Sequence, residues 1–224
     1  MKIIYWNTCL TTNSQDLFEN LMWLHQIHKG IDYFCINEAT NNLKELFHQA
    51  HWHTFYKANT DSRGVLIVSK SPLKQARSYL LSSVMRKGKV NQNHLLMIET
   101  RRGNKTFTIA TTHLTYLRLK EISRRKAERK QLTRFLPRNQ VIFGGDLNTV
   151  VIPFAKWDLK NLGYHSKVKG KTWCWHLKNT WKRIPFKLQL DHIFSSSDMS
   201  QVVKAKILKE QKLSDHFPIL VEVY

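Results

Sequence analysis

The sequence predicts an α/β chain in which two β-sheets pack together and helices lie outside them. Strand-like and helix-like stretches are intermixed along all 224 residues, not segregated into halves. Many of the strand candidates are short apolar runs that stop abruptly at a polar residue. No internal repeat, low-complexity linker or compositional break divides the chain, and its length suits one domain with an ample core.

In order, Lys2 to Trp6 alternates as a first strand, with Asn7 at its end. Asn13 or Ser14 can cap a helix over Asp16 to Lys29. Leu17, Leu21 and Leu24, with Phe18, form its apolar face, and Gly30 stops it. Tyr33 to Ile36 is a buried strand ending at Asn37-Glu38. A short helix follows over Leu43 to Ala50, with Leu43, Leu46 and Phe47 on one side. Gly64 to Val68 is a strand closed by Ser71-Pro72. Leu95 to Ile98 and Phe107 to Thr111 form a strand pair around the turn Arg101-Arg102-Gly103-Asn104, and the second runs on into Thr112-His113-Leu114.

Leu117 to Phe135 is the longest helical stretch. Leu119, Ile122, Leu132 and Phe135 are expected to face inward, and Arg118, Lys120, Arg124, Arg125, Lys126, Arg129, Lys130 and Arg134 to cover the rest. A charged helix face is usually a solvated one, but Glu121 and Glu128 are too few to neutralise it, so contact with a phosphate backbone stays open. A short helix is expected around Trp157 to Leu162. Lys167 to Pro185 is basic and tryptophan-rich. Strands around Asp191, over Val202 to Ile207 and over Phe217 to Val223 complete the chain.

The formal net charge is +20 and the isoelectric point about 10.0. Such a field attracts phosphates and steers polyanions. Against it stand only 16 acidic residues, which makes their positions informative. Glu38, Asp146, Asp191 and Asp215 lie at or inside apolar runs, where a carboxylate is costly unless paired or bound to a cation. Cys9, Cys35 and Cys174 are odd in number and far apart, so neither a disulfide framework nor a CxxC zinc site follows. Reduced thiols, an absent signal segment and no membrane-length apolar run set a cytoplasmic chain without membrane insertion as the expectation.

Three stretches bear the chemistry. Val141-Ile142-Phe143-Gly144-Gly145-Asp146-Leu147-Asn148-Thr149 runs from a buried strand into a carboxylate and an amide two residues apart. Leu188-Gln189-Leu190-Asp191-His192-Ile193-Phe194 places an acid inside an apolar run. Leu213-Ser214-Asp215-His216-Phe217-Pro218 places an acid and a histidine before the last one. These acids are expected to converge on a metal ion and a phosphate. A phosphodiester is anionic and repels nucleophiles, so its cleavage needs a cation, a base for water and donors aimed at its oxygens.

Taken with Tyr5-Trp6-Asn7, Ile36-Asn37-Glu38, Arg63-Gly64-Val65-Leu66-Ile67-Val68-Ser69 and Thr112-His113-Leu114, the series resembles the endonuclease/exonuclease/phosphatase superfamily over residues 3 to 221. Each piece is weak alone; seven in order are specific. The resemblance implies a four-layer α/β/β/α sandwich of two mixed sheets, like deoxyribonuclease I, with the active site at one end. It implies a Mg²⁺-dependent phosphodiesterase, with Mn²⁺ as a substitute ion, acting as a monomer on nucleic acid. DNA is the expected substrate, through an endonuclease or DNA-repair activity.

Residue by residue, the resemblance makes Glu38 the principal metal ligand, with Asn7 beside it. The family's usual Gln-Glu is Asn37-Glu38 here, a mild departure that keeps the carboxylate. Asp146 would orient and deprotonate water, Asn148 hold a phosphate oxygen and His113 contact the scissile phosphate. Asp191 would buttress a catalytic histidine, Asp215 serve a metal or polarise its neighbour, and His216 stabilise or protonate the phosphorane. Trp173 borders the substrate groove in the family, although Trp173 and Trp175 suit a core equally well. Arg63 either reaches a phosphate or is a surface charge. Substrate choice would lie in loops such as 82–93 and 165–187.

Other polar residues have simpler readings. His192 alternates with Asp191 along a strand, so it faces the other side and is structural. His48, His51 and His53 read as surface histidines near a helix end, and Cys174 with His176 lacks the partners of a zinc site. A phosphatase or phospholipase acting on a lipid headgroup is the alternative function. A catalytically dead nucleic-acid-binding module is a third, and the presence of Glu38, Asp146, Asn148, Asp215 and His216 argues against it.

Overall fold

The structure is a computed structural model that describes residues 1–8, 13–60, 62–86, 88–116, 121–148, 159–176, 183–209, 211 and 213–224. Its elements run β1 (Lys2–Asn7), α1 (Ser14–Ile27), β2 (Tyr33–Ala39), α2 (Asn41–Gln49), β3 (His53–Ala58), β4 (Gly64–Ser69), β5 (Lys74–Arg86), β6 (Lys89–Arg102) and β7 (Lys105–Thr112). They continue with α3 (Ile122–Phe135), β8 (Val141–Asp146), β9 (Tyr164–Ser166), β10 (Trp173–His176), β11 (Arg183–Leu188), β12 (Asp191–Ser196), β13 (Val203–Ile207) and β14 (Ile219–Val223).

Two mixed six-stranded sheets form the body, in the orders β13-β14-β1-β2-β4-β3 and β5-β6-β7-β8-β12-β9; β10 and β11 pair separately. Three apolar layers hold four structural layers together. Between the sheets, Ile3, Tyr5, Cys35, Val65 and Ile67 of the first meet Leu96, Ile98, Ile109, Ile142 and Ile193 of the second. On the outer face of the first sheet, Ile4, Trp6, Phe34 and Leu66 pack under Leu17, Leu21 and Leu24 of α1 and Leu43 and Phe47 of α2. On the outer face of the second, Leu95, Met97, Val141 and Phe143 lie with Leu132. The central strands are apolar on both sides because both faces are covered. This is the expected α/β/β/α sandwich.

Helix caps follow the sequence signals. Asn13 caps α1 by accepting from Gln15 N at 2.9 Å, and the Thr40 hydroxyl caps α2 by accepting from Leu43 N at 3.1 Å. No helix among the described residues is long and apolar enough to cross a membrane. Cys35 and Cys174 are buried free thiols, and Cys9 lies outside the described residues.

Three expectations need correction. Neither 82–93 nor the described part of 165–187 is simply a loop, since β10 and β11 pair within the latter. The strand expected over Leu95 to Ile98 is the middle of the long β6, and it pairs along its length with β5, which polar composition had concealed. His53 is not at a helix end but opens β3, an edge strand paired to β4. The helix α3 also turns a different face inward. Ile122 is 39% exposed, whereas Arg125 and Glu128 are buried beside Leu132. Buried polar groups persist only when bonded, and these are. Glu128 accepts from Ser82 Oγ, Asn93 Nδ2, Thr115 N and Thr115 Oγ1, while Arg125 donates to the carbonyls of Thr115 and Asn148. The helix start expected at 117–120 and Trp181 lie outside the described residues. So does most of the helix expected around Trp157, of which residues 159–161 are helical.

Candidate active site

Parallel pairing brings strand ends together. β1 runs parallel to β2 in one sheet and β7 parallel to β8 in the other. Asn7 and Glu38 therefore leave the first sheet at the end where His113 and Asp146 leave the second. Asn37 joins the two sheets there: its Oδ1 accepts from Asp146 N at 2.9 Å, and its Nδ2 donates to Thr111 Oγ1 at 3.4 Å.

Backbone irregularities aim the side chains. Glu38 is the extra residue where the β2–β4 register shifts between Asn37 and Ala39, and its φ is 57°. A bulge of this kind re-aims a side chain at a cost of about 1–3 kcal/mol for a non-glycine residue. Asn148 has φ 49°, a conformation asparagine tolerates better than most. The Gly144-Gly145 pair has a steric cause. A Cβ on Gly144 would come within 2.4 Å of Ile193 Cδ1, and one on Gly145, at φ 138°, within 2.0 Å of Thr112 O. Only glycine lets the β8 end approach β7 closely enough to set Asp146 beside His113.

At the centre lies Asp146, buried at a relative exposure of 2%. Asn7 Nδ2 donates to Asp146 Oδ2 at 2.9 Å and approaches Glu38 Oε1 at 3.5 Å. His113 Nε2 lies 3.6 Å from Asp146 Oδ2 and 3.8 Å from Glu38 Oε1. Asn148 N donates to Asp146 Oδ1 at 2.8 Å, and its Nδ2 sits 3.3 Å from His113 Nε2 while donating to Leu114 O. Arg63 is no free surface charge: its guanidinium pairs with Glu38 Oε2 at 2.9 Å.

The other wall is built by β12 and the segment before β14. Asp191 is directly opposite Asp146 in the β8–β12 ladder. Its Oδ2 lies 2.8 Å from His216 Nδ1, which turns Nε2 to 3.8 Å from Asp146 Oδ2 and 3.9 Å from Asp215 Oδ1. Asp215 Oδ2 in turn accepts from Trp173 Nε1 at 2.8 Å, and Trp173 bridges His216 through its backbone. The indole is thus fixed at the rim by its N–H, an arrangement that neither the core nor the stacking reading foresaw. His192 faces away, near Gln189 and stacked on Phe194.

Several supporting residues escaped the sequence. Thr172 Oγ1 accepts from the backbone N–H groups of Leu190 and Asp191. Ser214 Oγ donates to Asn7 O at 2.8 Å, and Trp6 Nε1 donates to His216 O at 2.9 Å. Ser214 at least had a signal, as the residue opening Ser-Asp-His; Thr172, Arg125 and Glu128 had none.

The charges perturb one another. Burial pushes the Asp146 carboxyl up, against the opposing pull of His216, and the Asp191 charge adds to the rise. Burial alone would lower His216, but Asp191, Asp146 and Asp215 outweigh it and push the imidazole up to about 10. For Glu38 burial acts upward, yet His113, Arg63 and His216 together hold the carboxyl below its ordinary value. The site therefore sets an imidazole raised by its neighbouring carboxylates beside a carboxyl raised by burial.

A strand-end carboxylate in each of two facing sheets, with an Asp–His pair opposite, is a site that can be compared with known ones. Residues 4–216 match the Endonuclease/Exonuclease/phosphatase family. The chain belongs to that family. Among solved structures, this family member resembles D. rerio TDP2 complexed with single strand DNA product, at TM-score 0.72 and 18% identity over 99% of this chain and 97% of that one. It resembles Staphylococcus aureus beta toxin at TM-score 0.74 and 19% identity over 100% of both chains. It also resembles the endonuclease domain of TRAS1, a telomere-specific non-LTR retrotransposon, at TM-score 0.67 and 15% identity over 99% and 97%. At these identities the likeness is one of fold. No curated protein sequence matches the chain.

Enzymes of the family hydrolyse phosphoester bonds and generally use divalent metals. Two donor sets here suit that use to different degrees. Asp146, Asp191 and His216 each offer one atom, all within 4.8 Å of one another. In that set, however, His216 Nδ1 is engaged by Asp191, and a protonated imidazole has no lone pair to give. The second set is Glu38 with Asp146, between which the Asn7 amide N–H and His113 Nε2 now stand. Two carboxylates drawn to shared N–H groups offer hard oxygens, as Mg²⁺ prefers.

Proposed function

We propose that the chain is a Mg²⁺-dependent phosphodiesterase that hydrolyses phosphodiester bonds of DNA. The observation that carries the reading is the setting of Asp146. It is buried between the Asn7–Glu38 pair on one side and the Asp191–His216 pair on the other, with Asn148 and His113 at its edge.

Each role follows from position. Asp146, raised by burial, accepts the proton of an attacking water. Glu38 and Asn7, with Asp146 next to them, would hold the metal, which supplies charge stabilisation for the phosphoryl oxygens. His113 Nε2 and the Asn148 amide lie together beside Asp146 and would serve the phosphate oxygens on exchanging the partners they now have. His216, kept protonated by Asp191, stabilises the charge that develops on the phosphorane and donates a proton to the leaving oxygen. Asp215 fixes Trp173 at the groove edge and adds to the field on His216. Arg63 sits where it neutralises Glu38 and can reach a phosphate of the substrate.

DNA is favoured by the +20 charge, which in a nucleic-acid enzyme gives steep salt dependence. The likeness to TDP2, whose structure holds single strand DNA product, and to the TRAS1 endonuclease domain points the same way. A phosphatase of the same fold is the second reading, favoured by the likeness to Bacteroides thetaiotaomicron mannosyl-6-phosphatase Bt3783 at TM-score 0.73 and 13% identity. The deciding experiment is a cleavage panel of plasmid, abasic duplex, single-stranded DNA, RNA, tyrosyl-DNA and phosphoinositide, in Mg²⁺ and in chelator. Mg²⁺-dependent nicking of DNA supports the proposal. Phosphate release with DNA intact overturns it.

A further inference from the structure

The strands β5 and β6 are longer than the sheet they belong to. Leu95 of β6 is level with Thr112, the last residue of β7, and the next residue of the chain is His113. Residues 89–94 of β6 and their partners 80–86 of β5 therefore pass beyond the sheet at the end where the active site opens. At about 3.3 Å per residue the overhang is roughly 15–20 Å. It is a two-stranded arm standing beside the pocket.

The arm is braced along one face. Arg124 Nε donates to Ser82 Oγ at 2.9 Å, and its NH2 donates to Asn91 Oδ1 at 3.0 Å and Asn91 O at 3.3 Å. Glu128 accepts from Ser82 and Asn93, and through Thr115 the same carboxylate holds the loop that follows His113. The loop before β4 is joined to the arm as well, since Gln92 N donates to Asn59 O at 2.8 Å. An arm held at these points is a rigid projection and not a closing lid.

Its other face carries exposed apolar side chains. Alternation along β6 puts Val90, Gln92 and His94 on the side of Leu96 and Ile98, the side turned toward the first sheet. Cross-strand pairing adds Met85 opposite Val90, Ser83 opposite Gln92 and Leu80 opposite His94. Leu80, Met85 and Val90 are 46%, 69% and 47% exposed. Three large aliphatic side chains thus share one face, interleaved with Ser83, Gln92 and His94. Lys89, the first residue of β6, adds a cation near the tip.

We propose that this face is a docking surface for duplex DNA, entering a groove of the double helix next to the phosphate that is cut. The inference rests on the phosphodiesterase reading for its choice of DNA. The major groove of the duplex accepts a two-stranded ribbon, and apolar side chains on such a ribbon meet the thymine methyl groups there. Single-strand platforms instead rely on aromatic rings, and this face has none among Leu80, Ser83, Met85, Val90, Gln92 and His94. Hydroxyl, amide and imidazole groups between the aliphatic ones suit base edges and not acyl chains. The cation of Lys89 suits a flanking phosphate.

The test is equilibrium binding in chelator, where no cleavage occurs, comparing the wild-type chain with the Met85→Ser/Val90→Ser double variant. Probes are a fluorescent duplex, the single strand of the same sequence and vesicles containing phosphatidylserine. A matched melting temperature establishes that the variant is folded; a single Met85→Ser variant replaces it where the double variant is not. The proposal expects roughly tenfold weaker duplex binding, the scale of losing an interface anchor, with a smaller loss for the single strand. Unchanged duplex binding overturns it, as does an equal loss on both DNA forms or a loss confined to vesicles. A protein that binds duplex through the arm yet cuts no DNA would overturn the proposed function and leave this inference standing.

Discussion

Asp191 and Asp146 face each other across the β8–β12 ladder, and the His216 imidazole lies against both carboxylates. Two acids placed opposite in neighbouring strands repel. A cation between them is what makes the pairing tolerable, which ties the protonation of His216 to the integrity of the site.

Asp191→Asn should therefore uncouple the histidine. In the wild type the neighbouring carboxylates push the His216 imidazole up to about 10, so the basic limb of the rate profile should lie near there. In the variant the limb should move down toward the ordinary histidine range, about 6.5, with activity at pH 8 reduced roughly 10²-fold or more. Stability follows the same linkage. The folded value exceeds the unfolded one, so the stabilising contribution is complete below about 6.5 and is lost as pH rises through about 10. Denaturant midpoints measured from pH 6 to 10 should fall in the wild type and stay flatter in Asp191→Asn. Identical profiles would sink this account.

Asp146→Asn keeps the shape of the side chain and removes the base. Cleavage should drop by about 10²- to 10⁴-fold, while the affinity for DNA, measured by anisotropy, stays within a few-fold of wild type.

Glu38→Gly separates stability from chemistry. Glycine takes the φ of 57° without steric cost, so the metal-free variant should melt no lower than wild type despite losing the Arg63 ion pair. Its Mg²⁺-dependent activity should be lost, and the rise in melting temperature on adding Mg²⁺ should shrink. A clear fall in melting temperature would argue that the bulge is not strained.

Glu128→Leu should cost about 3–5 kcal/mol, read as a shift in denaturant midpoint, because it leaves the Arg124 charge without its carboxylate and the groups of Ser82, Asn93 and Thr115 without their Glu128 acceptor. Glu128→Gln keeps one acceptor oxygen but sets its amide N–H against a donor on the other side, so it should recover only part of the loss.

What could be seen in the sequence was whatever local pattern determines. The strands of both sheet centres are apolar on each side, so Tyr33 to Ile36, Gly64 to Val68 and Val141 to Phe143 stood out. The polar residues at their ends marked the site, and the structure brings Asn7, Glu38, Arg63, His113, Asp146, Asn148, Asp191, Asp215, His216 and Trp173 to one end of the sandwich. The missing pieces are those that only a distant partner explains. β5 is an edge strand whose residues from Lys74 to Ser78 are mostly exposed, so it carries little apolar alternation. Glu128 looks like one more charge on a basic helix until Ser82, Asn93 and Thr115 arrive from other elements. Thr172 supports Asp191 through backbone groups, which no side-chain pattern reveals.

The bond from Ser214 to Asn7, with that from Trp6 to His216, closes the catalytic pocket across 207 and 210 positions of chain. The opening strand must therefore wait for the segment that precedes β14, and the pocket assembles only when contacts of such long sequence separation have formed.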